Sequence, residues 1–359
     1  MKIAMMGAWN SDSGASIHAE LLGREWIQKG IDLKVFSFYK HAFHGTAITK
    51  KEDENYVMRC FPAYGFPDSK MDIASLLEAD YDIFVAQDLG MLPMDHLLDI
   101  FPQIKKKAKT VNVIHDGSLS NKPNFFKFDW DHVVCFDERY FNFLKEAYPE
   151  GILSIIPYPA SPLSPGNKME ARRELGLPTE KKIVLIFGAA AEHALNTVVA
   201  LDRLVLTNDK YDVCLVLLTE IERILSKFKH IQNRVKFDFR VIEKSPDIEL
   251  LYKYLHASDC MIYNKHSAPV VVVASSVYQC LGSKCPILVR NSNYVDPFAR
   301  EVLRHEHYYE LEDNLVDVFE EGKKYKRQQM AVEDYLEENA AEPTAEKFLK
   351  LFEDLLEKK

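Results

Sequence analysis

Glycine, proline and long apolar runs are scarce in this sequence. Its 359 residues include only 14 glycines and 16 prolines, whereas 47% are hydrophobic and 28% are charged. These proportions exclude collagen-like, low-complexity and disordered chains. No apolar run reaches the roughly 18 residues that indicate a membrane span, and the apolar N-terminus is too short for a signal-peptide core. The sequence therefore predicts a folded, cytoplasmic protein with room for two domains.

Cysteine pairs and excess positive charge are also missing. None of the cysteines forms a Cys-x-x-Cys pair, and several lie inside apolar runs, so we expect reduced core residues rather than a zinc site. Acidic residues outnumber basic ones by 54 to 45, which gives a formal charge of -9. An acidic chain is poorly suited to the phosphate backbone of nucleic acids, so we expect no nucleic-acid partner. The cysteines are Cys60, Cys135, Cys214, Cys260, Cys280 and Cys285.

Short apolar runs alternate with amphipathic stretches along most of the chain. The first run is Ile3 to Met6, and the alternation restarts at Ile183 after a proline-rich stretch from Pro157 to Gly166. Nearly all-apolar strands between helices are typical of parallel sheets covered on both faces. The sequence therefore predicts an α/β protein with two Rossmann-like, doubly wound parallel-sheet domains facing a cleft, over residues 1–160 and 161–335. Ligands bind such sheets beyond the carboxyl ends of the strands.

A turn rich in glycine and serine, Gly7 to Ser16, separates the first strand from a predicted helix. Backbone amides at a helix N-terminus attract anions, although an ordinary strand-to-helix turn has the same appearance. The turn lacks both the Gly-Lys-Ser/Thr of a P-loop and the Gly-x-Gly-x-x-Gly of dinucleotide sites, so NAD binding is not favoured. His18 lies one turn into the helix, where it is either a packing residue or a candidate site residue.

Polar residues also follow two later strands. His115 and Asp116 end a strand, where a histidine either accepts a proton from a substrate or is simply satisfied by its neighbours. Lys265 follows another strand, and Ser275 and Ser276 begin the next predicted helix. Hydroxyls, amides and a lysine at a helix start are suited to binding a diphosphate, although a lone loop lysine is commonly just solvated.

Four lysines lie near the end of a predicted helix. A solvated helix end favoured by the helix dipole is the main interpretation, and a peripheral membrane contact is the alternative. These residues are Lys105, Lys106, Lys107 and Lys109.

The order of these features resembles the GT-B glycosyltransferases, most closely glycosyltransferase family 4, over nearly the whole chain. The most specific match is Ala171 to Pro178, which contains the helix end and Leu-Gly-Leu-Pro turn before the strand Ile183 to Phe187. Lys2 to Met5 with the turn after it, and the strand-end pair His115-Asp116, also match.

The resemblance implies a glycosyltransferase that moves a sugar from a nucleotide-sugar donor without a metal or other cofactor. The second domain would bind the donor and the first would receive a glycan, lipid or small-molecule acceptor, with a C-terminal helix, 336–359, packing back on the first domain. It makes His115 and Asp116 the candidate catalytic residues and His18 an acceptor-side residue. The candidate donor and phosphate-binding residues are Gly14, Gly188, His193, Lys265, Ser275, Ser276 and Gln279.

Two motifs of the family are altered. The Arg and Lys that contact donor phosphates are missing from the stretch after Gly188, where only His193 and Asn196 lie near the Lys position. Val271 and Gln279 occupy the two positions of the Glu-x7-Glu motif. Two alternatives therefore stay open: an inactive GT-B scaffold that acts as a binding or regulatory protein, and another enzyme on two Rossmann-like domains, such as a sugar-nucleotide epimerase or a dehydrogenase.

Overall fold

The chain forms two compact units in a computed structural model that describes residues 1–43, 48–66 and 70–358. The first unit comprises Met1–Pro159, Val270–Ser275 and the segment from Asn339 onward, and the second comprises Ala160–Pro269 and Ser276–Glu338. The predicted domains are 1–160 and 161–335, with 336–359 returning to the first. Lys359, at the end of that predicted helix, lies outside the described residues.

The first unit contains a parallel sheet of seven strands. Its order is β3-β2-β1-β4-β5-β6-β7, so the chain reverses direction across the sheet between β1 and β4. Ligands of doubly wound sheets bind near this point, beyond the strand ends. The strands are β1 (Lys2–Met6), β2 (Asp32–Phe38), β3 (Val57–Phe61), β4 (Ile83–Gln87), β5 (Lys109–Val113), β6 (His132–Cys135) and β7 (Leu153–Ile155).

The second unit contains a parallel sheet of six strands with the same kind of order, β10-β9-β8-β11-β12-β13. Its central strands are buried along nearly their whole length, as their unbroken apolar sequences predict. The strands are β8 (Lys182–Phe187), β9 (Val213–Thr219), β10 (Asp238–Glu243), β11 (Cys260–Tyr263), β12 (Ile287–Arg290) and β13 (Leu303–His305). Two parallel sheets with helices between their strands confirm the predicted Rossmann-like architecture.

Helices connect most of the strands. They are α1 (Gly14–Gln28), α2 (Ile73–Glu78), α3 (Met94–Lys107), α4 (Glu138–Leu144), α5 (Lys168–Glu174), α6 (Leu195–Thr207), α7 (Glu222–Gln232), α8 (Ile248–Ala257), α9 (Ser275–Leu281), α10 (Tyr308–Phe319), α11 (Lys323–Asn339) and α12 (Ala341–Glu357). None of the helices in the described part of the chain is long and apolar enough to cross a membrane.

The C-terminal helix α12 packs on α1 within the first unit. Trp26 Nε1 donates a hydrogen bond to the carbonyl oxygen of Ala345 at 3.2 Å. The Trp26 ring also meets Phe348 and Phe352 edge to face, at centroid distances of 6.1 and 5.5 Å. Lys29, just after α1, forms ion pairs with two glutamates of α12. An apolar seam bordered by ion pairs therefore joins the two helices.

A buried arginine explains the distinctive sequence at the start of the second unit. Arg172, in α5, donates to the carbonyl oxygens of Ala257 and Thr179 and to Asp259 Oδ2. The turn just after the helix contains Gly176, which adopts a left-handed φ of 61° that favours glycine. The helix end, the turn and the start of β11 are therefore connected through one guanidinium.

The six cysteines are buried, and most of the four lysines near the end of α3 contact other parts of the protein. All six cysteines are among the described residues, and each is a buried free thiol, as predicted. Lys105 pairs with Asp129, and Lys107 donates to the carbonyl oxygens of Leu77 and Ala79 at 2.7 Å. Lys109 donates to the carbonyl oxygen of Lys358 at 3.0 Å. Three of these four lysines therefore have protein partners.

Candidate functional site

The strand-end histidine of the first unit is held by a neighbouring glutamine. His115 follows β5 and is half-buried, and Gln87 is the last residue of β4. His115 Nε2 lies 3.1 Å from Gln87 Oε1. Burial lowers the pKa of His115 to about 3, so its imidazole is neutral near pH 7. A neutral imidazole offers one donor and one acceptor to its surroundings.

His18 lies against His115. The two rings meet edge to face, with centroids 5.1 Å apart and planes at 90°. His18 has no exposed surface, and Phe136 and Tyr158 surround it at 5.2 Å. Burial, and then the nearby His115, hold its pKa well below the usual value. The structure thus brings two of the predicted residues together, but His18 does not reach the surface. Its acceptor-side role stays a prediction.

Asp116 belongs to a group of carboxyls that also includes Asp88. Burial, and then the charge of Asp116, raise the pKa of Asp88 to about 7, although Lys122 and a backbone hydrogen bond at Gly90 oppose the shift. Burial also raises the pKa of Asp116. Asp116 sits so close to Gly90 that a Cβ there would lie 2.6 Å from Asp116 Oδ2. A carboxyl that ionises near pH 7 is suited to proton transfer.

Lys122 completes this part of the first unit. Its ammonium donates to the carbonyl oxygen of Gly90 and lies 4.7 Å from the centre of the Tyr64 ring. Its positive charge lowers the pKa of both Asp88 and Asp116, against the effect of burial.

Gln87 and Asp88 are not among the residues predicted from the sequence. The available signal was their position: both end an apolar strand beside β1, at the reversal point of the sheet. Asp88 also has a left-handed backbone, with φ of 60°, which is uncommon for residues other than glycine. Neither its backbone conformation nor its neighbours can be read from the local sequence.

Gly14 and Ser275 lie together in the first unit. A Cβ on Gly14, the first residue of α1, would lie 3.3 Å from both Cβ and Oγ of Ser275. The Tyr158 hydroxyl donates to the carbonyl oxygen of Gly14 at 2.7 Å. The segment before Ser275 is held in place because Val271 N donates to the carbonyl oxygen of Gly117 at 2.9 Å. These contacts bring two of the predicted phosphate-binding residues together.

The second unit places three basic side chains at the ends of β8 and β11. His193 ends the 3-10 turn that follows β8, and its ring centroid lies 4.8 Å from that of His266. Burial, then His266 and more weakly Lys265, lower the pKa of His193. Burial also lowers the pKa of Lys265. We refer to His193, Lys265 and His266 as the His–Lys cluster; His266 is not among the predicted residues.

Aromatic and amide groups surround this cluster. The Lys265 ammonium lies 5.0 Å from the ring centre of Tyr294 and 5.9 Å from that of Tyr263. The Asn293 side chain makes 2.9 Å hydrogen bonds to both the amide and the carbonyl oxygen of Ala268. The loop that carries Lys265 and His266 is therefore tied to the loop after β12.

The other predicted residues of the second unit are Gly188, Ser276 and Gln279, and each has its own local environment. Gly188, where β8 ends, has a φ of 61° and open space where a Cβ would lie. Ser276 and Gln279 belong to α9 and are half-buried. The carbonyl oxygen of Gln279 accepts a 2.9 Å hydrogen bond from the Tyr252 hydroxyl, which connects α9 to α8. Among the described residues, no group of three or more His, Cys, Asp or Glu side chains is arranged to hold a metal ion.

Several solved structures are similar to this chain over its whole length. A glycosyltransferase from Rickettsia africae is 16% identical, with a TM-score of 0.72, and the alignment covers 100% of this chain and 99% of that one. HepE from Anabaena, solved with UDP and glucose, is 11% identical, with a TM-score of 0.68 and coverage of 99% and 100%. Sucrose-phosphate synthase from Thermosynechococcus elongatus is 12% identical, with a TM-score of 0.66 and coverage of 99% of both chains.

No protein-family model matches the sequence. TM-scores of 0.66–0.72 establish a shared fold, and identities of 11–16% establish nothing beyond it. The chain therefore has the GT-B fold, and the predicted fold class is confirmed. The closer resemblance to glycosyltransferase family 4 stays a prediction.

Proposed function

We propose that the protein is a glycosyltransferase that moves a sugar from a nucleotide-sugar donor to an acceptor. The shared fold supports the proposal, since a structure of similar fold was solved with UDP and glucose. The observation that carries it is the His–Lys cluster at the ends of β8 and β11. It provides basic groups in the unit where the family's phosphate-binding Arg and Lys are missing.

The donor diphosphate is assigned to the second unit. Lys265 supplies a full charge, and His193 and His266 supply imidazole hydrogen bonds. The backbone of the turn that begins at Gly188 supplies further donors. We keep Gln279 as a candidate for the ribose, together with Ser276 for the phosphates. Gly14 and Ser275 are the first unit's candidates for contacting the donor.

The acceptor is assigned to the first unit, beside His115, Asp116 and Asp88. In the reaction, an acceptor hydroxyl forms a bond to the anomeric carbon while the bond from that carbon to the diphosphate oxygen breaks. The hydroxyl proton passes to Asp88, whose raised pKa of about 7 makes it an effective acceptor near neutral pH. His115 orients a sugar or acceptor hydroxyl. The acceptor class, whether glycan, lipid or small molecule, is left open.

A thermal-shift panel tests donor binding. UDP-, GDP-, ADP- and CDP-glucose are each added with EDTA and, separately, with manganese. We expect at least one of them to raise the melting temperature, because a ligand at 100 times its Kd adds roughly 2.7 kcal/mol of stability. The shift should be the same with EDTA, since Lys265 and the imidazoles replace a metal. No shift with any donor would contradict the proposal, and a shift that needs manganese would contradict metal independence.

The second candidate function is a GT-B scaffold that binds a nucleotide sugar without transferring it. The substitution of Val271 and Gln279 at the Glu-x7-Glu positions favours it, because Val271 has no polar side chain to hold a sugar hydroxyl. Such a protein would give a thermal shift but would release no nucleotide from the donor.

A further inference from the structure

We propose that Gln87 is a positioning residue that fixes the tautomer of His115, with the proton on Nε2 and a free lone pair on Nδ1. The catalytic meaning of this inference rests on the proposed function, in which His115 contacts a sugar or acceptor hydroxyl. The tautomer itself can be measured independently of any activity.

The assignment follows from the chemistry of the two groups. Gln87 is 1% exposed, and its Oε1 lies 3.1 Å from His115 Nε2. An amide oxygen only accepts hydrogen bonds, so Nε2 must donate. A neutral imidazole carries a single N–H. Once that proton is on Nε2, Nδ1 can only accept a hydrogen bond.

The surroundings restrict both partners. Gln87 lies so close to the residue after β1 that a Cβ on Gly7 would lie 2.7 Å from Gln87 Cβ. His18 stands perpendicular to the His115 ring and has no exposed surface. The Gln87 side chain also interacts with His18, whose pKa it raises against the effect of burial. Gln87 therefore lies between the two imidazoles, and its 3.1 Å contact with His115 directs its amide oxygen to that ring.

This tautomer selects the chemical group that His115 can bind. Nδ1 accepts a hydrogen bond from a hydroxyl but cannot donate one to a carbonyl oxygen. A substrate hydroxyl that donates its proton to Nδ1 is held with its oxygen lone pairs pointing away from the His115 ring. A deoxy or fluoro analogue at that position loses the interaction, because it has no proton to donate.

Nitrogen NMR of wild-type protein labelled with 15N-histidine tests the tautomer directly. Long-range proton–nitrogen correlations distinguish a protonated Nε2 from a protonated Nδ1, and a His115→Phe variant assigns the signal. We expect the Nε2–H form of His115 at pH 7.5. A proton on Nδ1, or an averaged pair of nitrogens, would overturn the proposal. The result holds even if no donor is turned over, which separates it from failure of the proposed function.

Gln87→Met tests whether the glutamine causes this state. Methionine keeps a similar length but lacks the accepting oxygen, so the His115 signals should shift toward a tautomer mixture. With a functional donor, kcat should fall by about tenfold while the donor KM changes by less than about twofold, as expected for loss of one hydrogen bond that orients a reacting group. Asn112→Leu, which removes another buried amide from β5, is the control and should leave the tautomer unchanged. An unaltered His115 spectrum in Gln87→Met would refute the role of Gln87. If that variant does not fold, the wild-type spectrum still decides the tautomer.

Discussion

The guanidinium of Arg172 donates to Asp259 Oδ2 at 2.7 Å, although 87 positions separate the two residues. The same carboxylate oxygen accepts a hydrogen bond from Ile183 N at 2.7 Å. Arg172→Leu would therefore remove the closest charged partner of a buried carboxylate, which would keep its contacts with Lys168 and Lys182. We expect a loss of about 1.5–3 kcal/mol in the free energy of unfolding, the scale of a hydrogen bond to a charged group, measured by urea denaturation. Arg173→Leu, at the next and exposed position, is the control and should change stability little. Equal stabilities for Arg172→Leu and wild type would show that the ion pair contributes nothing.

Asp88 should make the fold less stable as pH rises. The pKa of its carboxyl rises from the usual 3.8 to about 7 in the folded chain, so folding takes up a proton between these pH values. The destabilisation therefore grows from about pH 4 to pH 7 and is constant above. Asp88→Asn removes it, and asparagine tolerates a positive φ. We expect the variant to gain about 1–4 kcal/mol over wild type at pH 8 and almost nothing at pH 4.

Asp88→Asn must be compared with wild type at each pH, because the two buried histidines change the stability of the fold with pH in the opposite direction to Asp88. Burial lowers the pKa of His18 and His115, so their contribution to stability is lost as pH falls below about 6.5. Urea denaturation of both proteins at several pH values isolates the carboxyl. A gain that is independent of pH would contradict the raised pKa of Asp88.

We expect glycine to be required at position 188 because of its left-handed backbone conformation, and not because a side chain would clash there. Nothing lies within 4 Å of a Cβ built there, but its φ is 61°. Gly188→Ala should therefore lose about 1 kcal/mol of stability, the cost of a left-handed alanine. Gly151 has equally open space without a left-handed φ, and Gly151→Ala should be neutral or slightly stabilising. Thermal unfolding of the two variants separates the effects, and equal losses would contradict the argument.

Lys265 should carry much of the affinity for the donor. Its ammonium is the full positive charge of the His–Lys cluster, so Lys265→Ala should weaken binding of the nucleotide sugar by about 1.5–3 kcal/mol. Lys326→Ala, on the exposed face of α11, is the control and should bind normally. Calorimetric titration of both variants measures the difference. Equal affinities for Lys265→Ala and wild type would place the diphosphate elsewhere.

Much of the architecture could be predicted because it depends on local patterns. Unbroken apolar runs such as Ile83 to Ala86 are typical of central strands, and their alternation with helices indicates parallel sheets. The Leu-Gly-Leu-Pro turn marked the start of the second sheet because its conformation depends on Gly176. The sequence did not reveal that Val270–Ser275 packs with the first unit, since that depends on a hydrogen bond to Gly117 far away in the chain.

The candidate site was harder to predict because its chemistry comes from pairs of distant residues. Strand-end positions were enough to select His115 and Lys265. They did not select Asp88, whose raised pKa depends on burial and on the approach of Asp116. His266 follows Lys265 directly in the sequence, but its contact with His193 arises only in the fold, as does the contact of Gln87 with His115. None of these pairings leaves a spacing or composition signal in the sequence.

Release of free nucleoside diphosphate from the donor that gives the largest thermal shift tests the proposed function most directly. The protein is incubated with that nucleotide sugar in EDTA, and the released nucleotide is quantified by chromatography. We predict that wild type releases it and that His115→Ala and Asp88→Asn release it much more slowly. Binding without release in the wild-type protein, with or without candidate acceptor sugars, would contradict transferase activity and leave a scaffold that only binds nucleotide sugars.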